Sequence, residues 1–187
     1  MSTRAWEGIA IPESGTFDLD AAHSIVGFTA KHMMVTKVRG RFQDFTGSVT
    51  IAENPLESSA ELTIRTASID TGSTDRDNHL RSEDFLAVDK FPELTFRSAR
   101  VVEHSGDDFT VVGDLTIRDV TKQVTLKVEY GGAGTNPWGA EVFGFSIETE
   151  IDREDFGLTW NVALETGGVL VSKKVKIEVE GQATRRA

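Results

Sequence analysis

Cysteine is absent from the 187 residues, which excludes disulfides, thiolate metal sites and a cysteine nucleophile together. The absence fits reducing and oxidising compartments alike and does not place the protein. Long apolar runs are missing too, so no window has the length and hydropathy of a membrane-spanning helix. Positive charge is in short supply: 20 Lys and Arg stand against 30 Asp and Glu, a net charge of −10. That field repels a phosphate backbone and disfavours anionic membrane surfaces, and no basic cluster opposes it. Nucleic acid is not an expected partner. The pair Arg185–Arg186 reads as a frayed terminus.

Catalytic signatures are equally scarce. There is no Gly-x-Ser-x-Gly elbow, no dinucleotide fingerprint after a strand, no P-loop and no His-Glu-x-x-His pair. Residues 1–12 hold no apolar stretch of signal-peptide length, and Glu7 interrupts them. The expectation is a cytoplasmic protein with residues 1–14 as a flexible leader and residues 183–187 as a tail.

What the chain does have is phenylalanine, eleven in all, mostly on alternating positions of short segments. Alternation puts one face of a sheet in apolar side chains and the other in water. Val26, Phe28, Ala30, His32 and Met34 share one such face, with a turn expected near Thr36–Lys37. Phe45, Gly47, Val49 and Ile51 form another face. Phe42 falls on the opposite parity, which predicts a bulge or bend between Gly40 and Gly47. Further alternating segments run through Leu62–Thr66, Leu94–Phe96, Phe109–Ile117, Val124–Tyr130, Phe143–Ile151 and Val175–Val179. Gly131–Gly139 reads as a flexible connection. One stretch, near residues 75–86, lacks alternation and carries cap signals, so a short helical insertion is expected there. Strands at hairpin spacing with one helical interruption point to a single all-β domain, barrel or sandwich. An aromatic interior then either packs solid or leaves an apolar cavity.

The histidines do not make a metal site. His23 and His32 fall on opposite sheet faces under regular alternation, and no ligand spacing joins them to His79. Asp20 is placed to fix His23, Asp75 to sit one turn from His79, and His104 to be a solvated turn residue. His32 is different, because its face is shared with Phe28 and Met34. A polar group in an apolar cavity needs a partner, either a ligand head group or a neighbouring strand. Arg76 and Arg153 could receive a phosphate or carboxylate head at the barrel mouth, or pair within the protein.

Several motifs, in order, resemble the YceI family. They are Asp20-Ala21-Ala22-His23-Ser24-Ile25-Val26-Gly27-Phe28, then His32, Val38-Arg39-Gly40-Arg41-Phe42 and Ser68-Ile69-Asp70-Thr71. Arg76-Asp77-Asn78-His79-Leu80-Arg81-Ser82-Glu83-Asp84-Phe85, Phe91-Pro92 and Phe96 follow, then Gly113-Asp114-Leu115-Thr116-Ile117, Thr121-Lys122 and Arg153-Glu154-Asp155-Phe156-Gly157-Leu158. Many relatives carry a secretory leader, which this chain is not expected to have. The usual Gly-Asp before the last strand is replaced by Gly167-Gly168-Val169-Leu170.

The resemblance implies an antiparallel eight-stranded lipocalin-like barrel over residues 15–182, holding a polyisoprenoid, prenyl quinone or fatty-acid derivative without a cofactor or catalysis. Phe28, His32, Met34, Phe42, Phe45, Phe85, Phe96, Phe143, Phe145, Phe156 and Trp160 are the candidate ligand contacts, with Arg76 and Arg153 at the head group. Two alternatives stand beside it: an enzyme using His32 with Arg76 or Arg153, and a solid-core interaction module. A homodimer is compatible with each.

Overall fold

The computed structural model describes residues 3–187. A hairpin of β1 (Thr3–Trp6) and β2 (Ile9–Pro12) comes first, in place of the flexible leader expected from the sequence. The barrel follows. Three of its staves are broken in the middle: β3 (Gly15–Leu19) with β4 (Ile25–His32), β5 (Thr36–Phe42) with β6 (Phe45–Ile51), and β7 (Ser59–Arg65) with β8 (Ile69–Asp70). Five run unbroken: β9 (Glu93–Ser105), β10 (Asp108–Ile117), β11 (Val120–Thr135), β12 (Glu141–Asp152) and β13 (Lys174–Arg185). Each stave pairs antiparallel with its neighbours. The eight-stranded barrel closes because β13 pairs with β12 on one side and with β3 and β4 on the other.

The breaks have local causes. Asp20 accepts a hydrogen bond from Ala22 N (3.0 Å) and lies 2.8 Å from the His23 ring, which turns the chain between β3 and β4. The parity change at Phe42 is the gap at Gln43–Asp44 between β5 and β6. Thr66, buried, donates its hydroxyl to Phe91 O (2.8 Å) where β7 gives way to β8.

Four details differ from the sequence reading. The β4–β5 turn is Met33–Met34, both with left-handed φ (52° and 62°), so it precedes the expected site at Thr36–Lys37. The glycine-rich stretch is mostly strand: β11 continues to Thr135 through a register shift between Tyr130 and Gly132. The helix α1 spans Thr74–Arg81 and is shorter than expected, because Ser82 caps it by donating its hydroxyl to His79 O (2.6 Å) and Phe85, Leu86 and Ala87 turn into the core. The C-terminal arginines are anchored. Arg185 donates to the carbonyls of Ser14 and Glu13 (3.0 Å each), pairs with Glu141 and covers the Phe17 ring, while Arg186 clasps Asp18.

Inward side chains follow the strand alternation. One cluster gathers Val26, Ile64, Ile69, Phe85, Leu115, Phe156 and Val179, and a smaller one joins Phe17, Phe143 and Ala183. Full burial of such a side chain contributes roughly 1.5–3 kcal/mol.

Candidate ligand-binding cavity

The barrel is not packed solid. A cavity of about 400 Å³ runs through it, with a wall that is almost entirely carbon. An eight-stranded barrel has an interior just wide enough for side chains or for one small ligand. Here the choice between those outcomes is made partly by glycine. Phe28 pairs in register with Gly40, and Phe145 with Gly181. A β-carbon at either glycine would collide with the ring opposite. The same is true of Gly113 and Phe96. Each ring occupies space over a neighbouring strand where any other residue would have a side chain, and the lumen beyond it stays open.

One end of the cavity takes Ile11 and Pro12 as part of its wall. The hairpin that carries Ile11 is tied down at several points. Arg4 donates to the carbonyls of Ala52 and Glu53 (2.5 Å each), and the Tyr130 hydroxyl donates to Ala10 O (2.8 Å). Trp6 rests against His104 and Phe109, with ring centroids 4.8 and 6.0 Å away, so His104 packs against an aromatic ring where a solvated turn residue was expected. Burial, with a smaller effect from Asp107, pushes the Tyr130 hydroxyl from the ordinary 10.0 up to about 12.

The opposite end is built from α1, the segment after it and residues 153–173. Arg153 lies there, 5% exposed, in a turn started by the Asp152 carboxylate (accepting from Glu154 N, 3.0 Å) and ended by Gly157 at φ 83°. Its guanidinium donates to the carbonyls of Ser172 (2.9 Å), Leu158 (2.6 Å) and Val171 (3.3 Å), and lies 5.9 Å from the Phe85 ring centroid. No carboxylate pairs with it among the described residues. Burial pushes its pKa below the usual arginine value, while Glu154 and Asp152 pull the other way. An arginine remains charged through such a shift. The cavity therefore has one cationic end whose guanidinium is held by carbonyl oxygens, with no carboxylate in direct contact among the described residues.

Of the candidate contacts, Phe28, Phe42, Phe85, Phe96, Phe143, Phe145 and Arg153 line the cavity. Phe45 and Phe156 are buried in the surrounding core instead, and Trp160 packs against Phe85 (5.4 Å) and His79 (4.6 Å) at the cationic end, outside the lining. His32 and Met34 are exposed and do not line the cavity. The strand ends at His32, and the left-handed turn carries Met34 into solvent, 53% exposed. Arg76 bonds to Thr71, through its hydroxyl (2.7 Å) and carbonyl (2.8 Å), outside the barrel. His79 pairs with Asp84 (2.9 Å), not with Asp75. The constellation of His32 with Arg76 or Arg153 is thus not assembled. Among the described residues no group of three or more His, Asp or Glu is placed to hold a metal ion, and no helix is long and apolar enough to cross a membrane.

The YceI-like domain description matches residues 17–183. The chain belongs to the YceI-like family. Among its relatives, a UPF0312 protein of Staphylococcus aureus (strain N315) is 42% identical over 168 residues, covering 89% of this chain and 95% of that one. The crystal structure of Burkholderia cenocepacia BcnA superposes with a TM-score of 0.76 at 26% identity, over 89% of this chain and 99% of that one. A polyisoprenoid binding domain from Saccharophagus degradans shares the fold, with a TM-score of 0.64 at 15% identity over 93% of this chain and all of that one.

The YceI-like match begins at residue 17, so the β1–β2 hairpin and its Ile11 lie outside the family span. Sequence reasoning missed Ile11 and Pro12 because that segment was read as a leader. It also passed over aliphatic wall residues such as Leu62, Leu94 and Ile177, although the alternation that marks the phenylalanines marks them equally.

Proposed function

We propose that this YceI-like barrel binds one long, mostly apolar amphiphile in its interior and does not turn it over. A polyisoprenoid, a prenyl quinone and a fatty-acid derivative are the candidate ligands. The observation that carries the reading is the cavity: carbon-walled along its length, with the buried, unpaired charge of Arg153 at one end. An apolar tail gains about 25 cal/mol for each Å² removed from water there. An electron-rich head, phosphate or carbonyl, is attracted to the cation in a low-dielectric setting. The family membership and the fold shared with a domain named for polyisoprenoid binding support the same ligand class. A solid-core module has no such cavity, and the alternative catalytic group is dispersed.

Native mass spectrometry of the purified protein, followed by organic extraction, tests the proposal. A stoichiometric prenyl or acyl species is the expected result. A clean apo mass after prenyl quinones and fatty amides have been offered would overturn it. Phe28→Asp should abolish the load, with the fold checked separately by circular dichroism.

A further inference from the structure

Three apolar side chains stand in water at the tip of the β4–β5 hairpin: Met33 (47% exposed), Met34 (53%) and Val35 (81%). The turn there uses left-handed φ at both methionines, a conformation that Asn-Gly would adopt with less strain. Val162, also exposed, lies on the neighbouring loop, which is joined to the tip by Met33 N donating to Leu170 O (2.8 Å).

Behind the tip the charge is positive, against the sign of the whole chain. Lys31 and Lys37 face one another across the hairpin, and Arg39 and Arg41 continue the same exposed row. None of the four has an ion pair or side-chain hydrogen bond among the described residues. The acids nearby are mostly engaged. Asp70, beside Arg41, accepts from Gln43 and Gly72 N; Glu178 and Glu148 hold Lys176; Glu154 holds Lys173. Glu165 is the acid of the adjoining loop and is exposed.

We infer that this hairpin tip is a docking surface for an anionic lipid bilayer. Apolar side chains at the leading edge enter below the head groups, and the two lysines two positions back meet the lipid phosphates. The net charge of −10 argues against membrane contact only if it is spread evenly, and screening limits distant acids to a short range. The tip also adjoins the cationic end of the cavity. His32 bridges to Val171, which lines the cavity and whose carbonyl accepts from Arg153. A docked molecule would hold that end of the lumen against the lipid. The inference extends the carrier reading but does not depend on its test, because vesicle binding reads the surface and lipid extraction reads the interior.

The experiment is flotation of the full chain with phosphatidylcholine vesicles, with and without phosphatidylglycerol. Binding to the anionic vesicles alone is expected, and it should fade as salt is raised. Met33→Ser/Met34→Ser/Val35→Ser should weaken it about tenfold or more. Lys31→Gln/Lys37→Gln should weaken it about fivefold for each charge removed. All five side chains are exposed, so circular dichroism and the thermal midpoint should not move. No binding to anionic vesicles, equal binding to neutral ones, or indifference to both variants would overturn the inference. So would sedimentation velocity showing a dimer that the tip variant dissociates, because the tip would then be a contact between copies.

Discussion

The ring of Phe145 lies across Gly181, its register partner on the adjoining strand, in the space that any other side chain would fill. The pair shapes the lumen as much as it packs the wall. Gly181→Ala should force the ring off its seat and towards the cavity, with destabilisation of about 1–3 kcal/mol from overpacking. Urea unfolding measures that loss. Combining the change with Phe145→Ala should cost less than the two single effects added, since the clash is removed. Strict additivity would show that the ring and the glycine do not compete for the same space.

Arg153 makes a different kind of demand on the fold. Its loss leaves the Ser172 and Leu158 carbonyls without their donor, at roughly 1–3 kcal/mol for each one that water cannot reach, while the Val171 carbonyl keeps its bond from Asn161 (2.7 Å). Arg153→Met is therefore expected to lose about 2 kcal/mol or more in a denaturant titration. Arg153→Lys should recover only part of this, because a point charge cannot reach three carbonyls set around a planar fork. A methionine variant as stable as the parent would mean that those carbonyls find water.

Tyr130 is the sole tyrosine of the chain, so tyrosinate absorbance reports on it alone. Its folded pKa is raised from 10.0 to about 12, chiefly by burial, which means that folding favours the protonated hydroxyl. The stability this contributes is fully present below pH 10 and is lost as pH rises from 10 towards 12. Tyr130→Phe should lack that alkaline decline, while losing the bond to Ala10 O at every pH. Tyrosinate appearing near pH 10 in the folded protein would contradict the burial.

Much of this was legible in the sequence because a sheet repeats every two residues. Phe28, Phe96, Phe143 and Phe145 were placed on the wall by that period, and all four line it. Phe42, which breaks the parity, lines it as well because the stave is interrupted after it. The period cannot say where a strand stops. Met33–Met34 has none of the usual hairpin-turn residues, so the alternation was carried past the strand's end at His32 to Met34, which stands in solvent. Phe45 has the right parity but lies in packed core beside the break at Gln43–Asp44, a depth that parity does not encode. Nor does it encode contacts between distant segments. The hydroxyl of Tyr130 on Ala10 and the guanidinium of Arg4 on Glu53 hold the N-terminal hairpin in place, and neither leaves a local mark.

Closure by β13 has a consequence for how the molecule is made. Ala183 pairs with Leu19 and Val179 with Val26, so the last strand to be synthesised meets one of the earliest. Until it does, β12 and the β3–β4 stave are unpaired edges beside an apolar interior, an aggregation hazard in any partly folded sheet. Contacts so remote in sequence are slow to form. The compartment for a ligand comes into being only with that final pairing. A ligand that fits the closed barrel and not the open sheet would draw the chain towards completion by mass action, acting as a template for maturation as well as a cargo.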